Sequence, residues 1–150
     1  MIDASKGFTL VRTFEAAPEA IWEAWTDPDS VAQWWHPRGA STPRESVDVD
    51  ARIGGTYTYT MVNDATGEKV ITGGVYLEVE PFKRLVFTWG FPGADPDDTP
   101  VIAVTLEPAG DGTRMTFDLR GVAGSEGDGS FYDGWVGALD SLEDYLGGDR

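Results

Sequence analysis

Apolar residues in the middle of this chain recur at every second position, from about residue 43 to residue 119. The clearest runs place them at Val47 and Val49, at Tyr57, Tyr59 and Met61, at Val75, Leu77 and Val79, at Leu85, Phe87 and Trp89, at Ile102, Val104 and Leu106, and at Met115, Phe117 and Leu119. Turn signals such as Thr66-Gly67 and Asp111-Gly112 separate the runs by short connections. The pattern predicts an antiparallel sheet with one apolar face and one face in water.

The residues before this region predict one more strand and two short helices. Phe8, Leu10 and Phe14 alternate along the strand, and Pro18 then opens a helix whose apolar face is Ile21, Ala24 and Trp25. Asp27-Pro28 resembles a cap followed by proline in the first helical turn. The inward residues of that second helix would be Val31, Trp34 and Trp35, with Pro37 and Gly39 ending it. About six to seven strands are predicted in all.

One long helix is predicted after the last strand. Ser130 and Asp133 resemble a capping box that follows a flexible loop over residues 121–129. Apolar residues then recur at helical spacing: Phe131, Trp135, Ala138, Leu139, Leu142 and Leu146. This helix would cover the apolar face of the sheet, which gives an α+β fold. We interpret residues 1–150 as a single domain with a core over about 8–146.

The net charge of the chain argues against two kinds of partner. The chain carries 26 acidic and 11 basic residues, a formal net charge of −15. Nucleic acids and anionic membranes both attract basic surfaces, so neither is an expected partner. The sequence also lacks cysteine, a secretion signal and any apolar run near the ~20 residues that span a bilayer. A cytoplasmic location is therefore expected.

Several short motifs along the chain, in this order, resemble a known family. They are Ala17-Pro18, Trp25-Thr26-Asp27-Pro28, Trp34-Trp35 with Pro37, Arg52-Ile53-Gly54-Gly55, Gly74-Val75-Tyr76-Leu77-Glu78 with Pro81, Arg84-Leu85-Val86-Phe87-Thr88-Trp89, and Gly134-Trp135 with Leu139, Leu142 and Tyr145-Leu146. Together they resemble the helix-grip fold of the START-like (SRPBCC) superfamily. Within it they resemble the family homologous to the C-terminal domain of the activator of the heat-shock-protein-90 ATPase (AHSA-type). The resemblance implies a curved sheet wrapped around a long C-terminal helix.

The same resemblance implies three alternative functions. Relatives in the superfamily bind lipids, hormones or polyketides, so binding of a small apolar or amphipathic molecule comes first. A co-chaperone that activates a heat-shock ATPase is second, and a cyclase- or hydrolase-like enzyme is third. The residues favour a binding protein over an enzyme, and they predict no cofactor and no catalytic set. A protein partner, and the choice between monomer and homodimer, stay open.

A cavity of about 300–1,000 Å³, the usual size of a ligand pocket, is expected between the sheet and the last helix. Its candidate lining residues are Arg12, Trp34, Trp35, His36, Tyr57, Tyr59, Met61, Phe87, Trp89, Phe117, Phe131 and Trp135. Aromatic stripes also form ordinary cores, so each of these residues has two open interpretations. Trp34-Trp35-His36-Pro37 is the predicted gate, with one ring packed inward and the other at the cavity entrance.

His36 is the only histidine, so a multi-histidine metal site is excluded and no metal is predicted. Near neutral pH a histidine can act as a general base. The alternative is a half-exposed residue at a helix end. The resemblance adds that the family usually has a small residue at this position.

Arg12 is a charged residue in phase with the apolar residues of the first strand. An unpaired buried charge is costly, so Arg12 needs a partner. One interpretation is a structural ion pair, with Glu78 or another acid. The other is an anchor for an acidic group of a ligand.

Overall fold

The structure is a computed structural model that describes residues 3, 5–36, 39–129 and 131–148. Its strands are β1 (Gly7–Phe14), β2 (Ala40–Ser41), β3 (Asp48–Val49), β4 (Thr56–Asn63), β5 (Lys69–Glu80), β6 (Arg84–Thr88), β7 (Val101–Ala109) and β8 (Gly112–Arg120). Its helices are α1 (Pro18–Thr26), α2 (Pro28–Trp34) and α3 (Phe131–Gly148), with short 3₁₀ turns at Arg44–Ser46 and Pro96–Asp98. Within the described residues, no helix is long and apolar enough to cross a membrane.

The sheet confirms the predicted α+β fold. Its strands pair antiparallel in the order β1-β8-β7-β6-β5-β4-β2, and β3 also pairs with β4. The eight strands exceed the predicted six to seven because β2 and β3 have only two residues each. The region before β3 forms a 3₁₀ turn instead of extended chain, and the Ser46 hydroxyl there accepts a hydrogen bond from the Thr60 N–H at 3.1 Å. A side chain thus replaces a strand neighbour of β4.

The two short helices follow β1 as predicted. Proline opens each helix, and the Asp27 carboxylate caps α2 by accepting from the Asp29 N–H at 3.0 Å. The indole N–H of Trp34 donates to the Ala24 carbonyl at 2.7 Å, which ties α2 to α1. Pro37, which was expected to end α2, lies outside the described residues.

The predicted phase of β5 is wrong. Val75, Leu77 and Val79 were expected to share the inward face, but Leu77 is 40% exposed and Tyr76 is 1% exposed. The register against β6 shifts between Tyr76 and Glu78, as at a β-bulge. A bulge adds one residue to a strand, and simple alternation then fails on one side of it.

α3 begins at a network of two carboxylates. Asp128 accepts from the N–H groups of Tyr132 and Asp133, at 3.3 Å and 3.2 Å. The Asp133 carboxylate reaches back to the Gly127 and Gly129 N–H groups, at 2.9 Å and 2.7 Å. These bonds satisfy backbone donors in and before the first turn. The other member of the predicted capping box, Ser130, lies outside the described residues.

Aromatic side chains fill most of the space between the sheet and α3. The ring centroid of Trp25 lies 5.2 Å from that of Trp35, 6.1 Å from Phe87, 6.4 Å from Phe117 and 6.3 Å from Trp135. All five rings are buried. Among the described residues, the space between the sheet and α3 therefore holds a packed aromatic core.

Candidate functional site

A small apolar pocket lies at one end of α3, between the end of α2, strand β4 and the residue that follows β6. Its volume is about 80 Å³. The lining residues are Trp35, His36, Tyr59, Met61, Trp89, Phe131, Gly134, Trp135 and Ala138. The expected cavity volume of 300–1,000 Å³ is therefore an overestimate, because tryptophan rings occupy most of the space between the sheet and α3.

Seven of the twelve predicted lining residues border this pocket. They are Trp35, His36, Tyr59, Met61, Trp89, Phe131 and Trp135. Gly134 and Ala138 complete the wall, and sequence reasoning missed both. A Cβ added at Gly134 would meet no atom within 4 Å. Gly134 and Ala138 are small residues one helical turn apart on α3, and together they create this space. Their position next to Trp135 in the helical repeat is the sequence feature that could have predicted them as lining residues.

Four of the five other predicted lining residues lie elsewhere in the core. Trp34 packs against α1, and the Tyr57 hydroxyl donates to the Thr88 carbonyl at 2.6 Å. Phe87 and Phe117 are fully buried among the rings around Trp25. Of the two adjacent tryptophans in the predicted gate, Trp34 thus faces inward and Trp35 borders the pocket.

Arg12 pairs with Asp140 on α3 and does not line the pocket. The Arg12 guanidinium lies 2.9 Å from the Asp140 carboxylate, and the two side chains are 23% and 32% exposed. Glu78, the partner suggested from sequence, instead lies 3.4 Å from Arg84. The inner face of β1 meets α3, so the acid that Arg12 reaches is a helical one.

The accessible lining of the pocket is apolar. The indole N–H groups of Trp35 and Trp135 are buried and have no acceptor among the described residues. They lie within the aromatic wall and are not open to the pocket. Burial raises the pKa of the Tyr59 hydroxyl.

Tyr59 belongs to a group of three buried tyrosines. Burial also raises the pKa of Tyr57 and Tyr76, in both cases as the largest cause. The three phenols are therefore neutral in the folded protein near neutral pH.

His36 lies at the rim of the pocket and is half-buried. Its Nδ1 lies 3.4 Å from the Thr42 hydroxyl, which donates to the Trp35 carbonyl at 2.9 Å. Burial lowers the pKa of His36, and the nearby Asp64 carboxylate opposes that shift. The described part of the chain contains no group of three His, Cys, Asp or Glu side chains that could hold a metal ion.

The curved antiparallel sheet around one long helix, with an apolar pocket at the end of that helix, defines a helix-grip protein. The chain belongs to the family described as activator of Hsp90 ATPase homolog 1-like protein, which matches residues 15–147. A comparison with curated proteins finds no match.

Solved structures of bacterial proteins agree with this assignment. A protein from Chromobacterium violaceum has 30% identity and a TM-score of 0.81, over 94% of this chain and 97% of its own. The AHSA1 protein from Silicibacter pomeroyi has 30% identity and a TM-score of 0.79, over 96% and 99% of the two chains. A protein from Nitrosomonas europaea has 26% identity and a TM-score of 0.80, over 99% and 98%.

Proposed function

We propose that this protein binds a small amphipathic molecule whose apolar group enters the pocket at the end of α3. The observation that carries the proposal is an open pocket with an apolar lining, bounded on one side by Gly134. Pockets of this kind bind apolar groups because binding removes both surfaces from water. A dry apolar cavity of about 150 Å³ binds benzene. A pocket of about 80 Å³ therefore holds roughly half such a group without movement.

The mouth of the pocket can widen with little loss of packing. Phe131 is 41% exposed, so moving its ring exposes less new apolar surface than moving a core ring would. It stands two residues after the glycine-rich segment 121–129, in which Gly121, Gly127 and Gly129 have positive φ. Met61, on the opposite wall, is a long unbranched side chain that adapts to irregular contacts. A ligand larger than the pocket would extend outward past Phe131.

Gly134 offers a direct test of this proposal. Gly134→Leu should fill the pocket, and Gly134→Ala adds one methyl group as the matched control. Both changes should stabilise α3, by about 1 kcal/mol from helix propensity alone. Toluene is the probe, and its binding is measured by isothermal calorimetry and by tryptophan fluorescence.

Toluene should bind the wild type and Gly134→Ala, and it should fail to bind Gly134→Leu. Equal binding to all three proteins would place the apolar site elsewhere. No binding to any of them would reject the proposal. If toluene binds as expected, native mass spectrometry of the purified wild type would identify the natural ligand by its mass.

A second candidate function rests on the family itself. The family is described by similarity to an activator of the Hsp90 ATPase, and such a role depends on protein contacts. The test adds this chain to a bacterial chaperone of that class and measures ATP hydrolysis. Stimulation that persists in Gly134→Leu would support a co-chaperone role independent of the pocket.

A further inference from the structure

The hydroxyl of Thr42 fixes the orientation of hydrogen bonds around His36. Thr42 is 5% exposed, and its hydroxyl donates to the Trp35 carbonyl at 2.9 Å. A hydroxyl has one proton to donate. The carbonyl is the nearer of the two neighbours, since Nδ1 of His36 lies 3.4 Å away. The Thr42 oxygen can therefore only accept a hydrogen bond from the histidine.

This arrangement selects one tautomer of the neutral imidazole. If the Thr42 oxygen accepts, then Nδ1 of His36 carries the proton. The other ring nitrogen, Nε2, then has a free lone pair and is an acceptor. The ring borders the pocket, and Nε2 is the ring nitrogen that Thr42 does not contact. It is therefore the nitrogen that could meet the polar end of a ligand whose apolar group occupies the pocket.

We propose that His36 Nε2 selects ligands that carry a neutral hydrogen-bond donor beside the apolar group, such as a phenol or an alcohol. The proposal rests on the proposed function, because it assumes that the pocket is occupied. An apolar group of the same shape without a donor leaves the Nε2 lone pair unpaired. Where the bound ligand keeps water away from Nε2, the lost hydrogen bond costs affinity, and that cost distinguishes the two ligands.

The first test observes the tautomer directly. The chain has a single histidine, so ¹⁵N labelling of histidine gives one pair of ring nitrogen signals without assignment. The spectrum is recorded at pH 8, where the imidazole is neutral. We expect the Nδ1-protonated form to dominate in the wild type, and Thr42→Val to reduce its share. A dominant Nε2-protonated form would overturn the proposal, because Nε2 would then be a donor.

The second test compares phenol with toluene, which differ by a hydroxyl in place of a methyl group. The ratio of their affinities is measured at pH 8 for the wild type, His36→Leu and His36→Gln. One hydrogen bond corresponds to roughly a 3- to 10-fold change. The ratio should fall by that factor in His36→Leu, which has no acceptor. His36→Gln should keep part of the preference, because its amide oxygen can accept.

The outcomes separate this proposal from the one on which it rests. If toluene binds and the phenol-to-toluene ratio is the same in the wild type and His36→Leu, the role of His36 fails while pocket binding stands. If neither compound binds the wild type, pocket binding fails and the selection by His36 fails with it. A fall in the ratio together with the expected tautomer supports both.

Discussion

Trp135→Ala should lower the free energy of unfolding by about 3 kcal/mol, the lower end of the 3–5 kcal/mol typical of a buried large aromatic residue. The ring is 4% exposed, and its centroid lies 4.6 Å from that of Phe117 and 5.4 Å from that of Trp89. The lower end applies because one side of the ring already borders the pocket. Since small domains have about 5–15 kcal/mol in total, the loss is large. Urea denaturation followed by far-UV circular dichroism measures it.

Indole added to this variant should restore part of the lost stability. The volume vacated by the ring joins the pocket, and free indole matches the missing group. Indole at 100 times its Kd would return about 2.7 kcal/mol. Trp22→Ala is the control, because Trp22 is only partly buried and does not line the pocket. The centroid of its ring lies 6.2 Å from that of Phe82. A loss below about 1.5 kcal/mol in Trp135→Ala, or equal rescue of both variants, would refute this reasoning.

Three further predictions concern the rest of the fold. Asp140→Asn should cost about 0.5–1 kcal/mol through its partly exposed pair with Arg12, and the cost should shrink in 1 M salt if it is electrostatic. The three buried tyrosines have raised pKa values in the folded protein. Their contribution to the free energy of unfolding is therefore complete below about pH 10, the pKa of tyrosine in the unfolded chain, and it falls as the pH rises above that value. Their tyrosinate absorbance should therefore appear together with the loss of circular dichroism, and ionisation complete before unfolding would contradict this. Gly74→Ala should lower the free energy of unfolding by about 1–3 kcal/mol, because the added Cβ would lie 2.0 Å from the Thr88 carbonyl oxygen. Gly134→Ala is the control and should not be destabilised. Equal stability of the two variants would contradict the close approach at Gly74.

The fold could be predicted from sequence where one rule governed a whole segment. Along β7 and β8, alternation placed Ile102, Val104 and Phe117 on the buried face, and all three are buried. Helical spacing did the same for Leu139 and Leu142 on α3. Alternation failed in β5, because a bulge changes the phase and sequence alternation carries no sign of it.

The surroundings of His36 could not be predicted because they depend on contacts across irregular chain. Thr42 follows β2, six residues after His36, and no periodic pattern covers that stretch. The partner of Arg12 was missed for a related reason. Its phase on β1 showed that it faces inward, but only the placement of α3 decides which acid it meets.

The size of the pocket follows from side-chain volumes and not from the backbone. Trp25, Phe87 and Phe117 are ordinary core residues, because their rings fill the centre of the space between the sheet and the helix. The pocket remains where Gly134 and Ala138 face the sheet. Because rigid rings cannot collapse into a neighbouring void, removing one of them enlarges the pocket instead of closing it. The same backbone with smaller side chains at these positions would therefore enclose a larger pocket, and in this chain the tryptophans keep its volume at about 80 Å³.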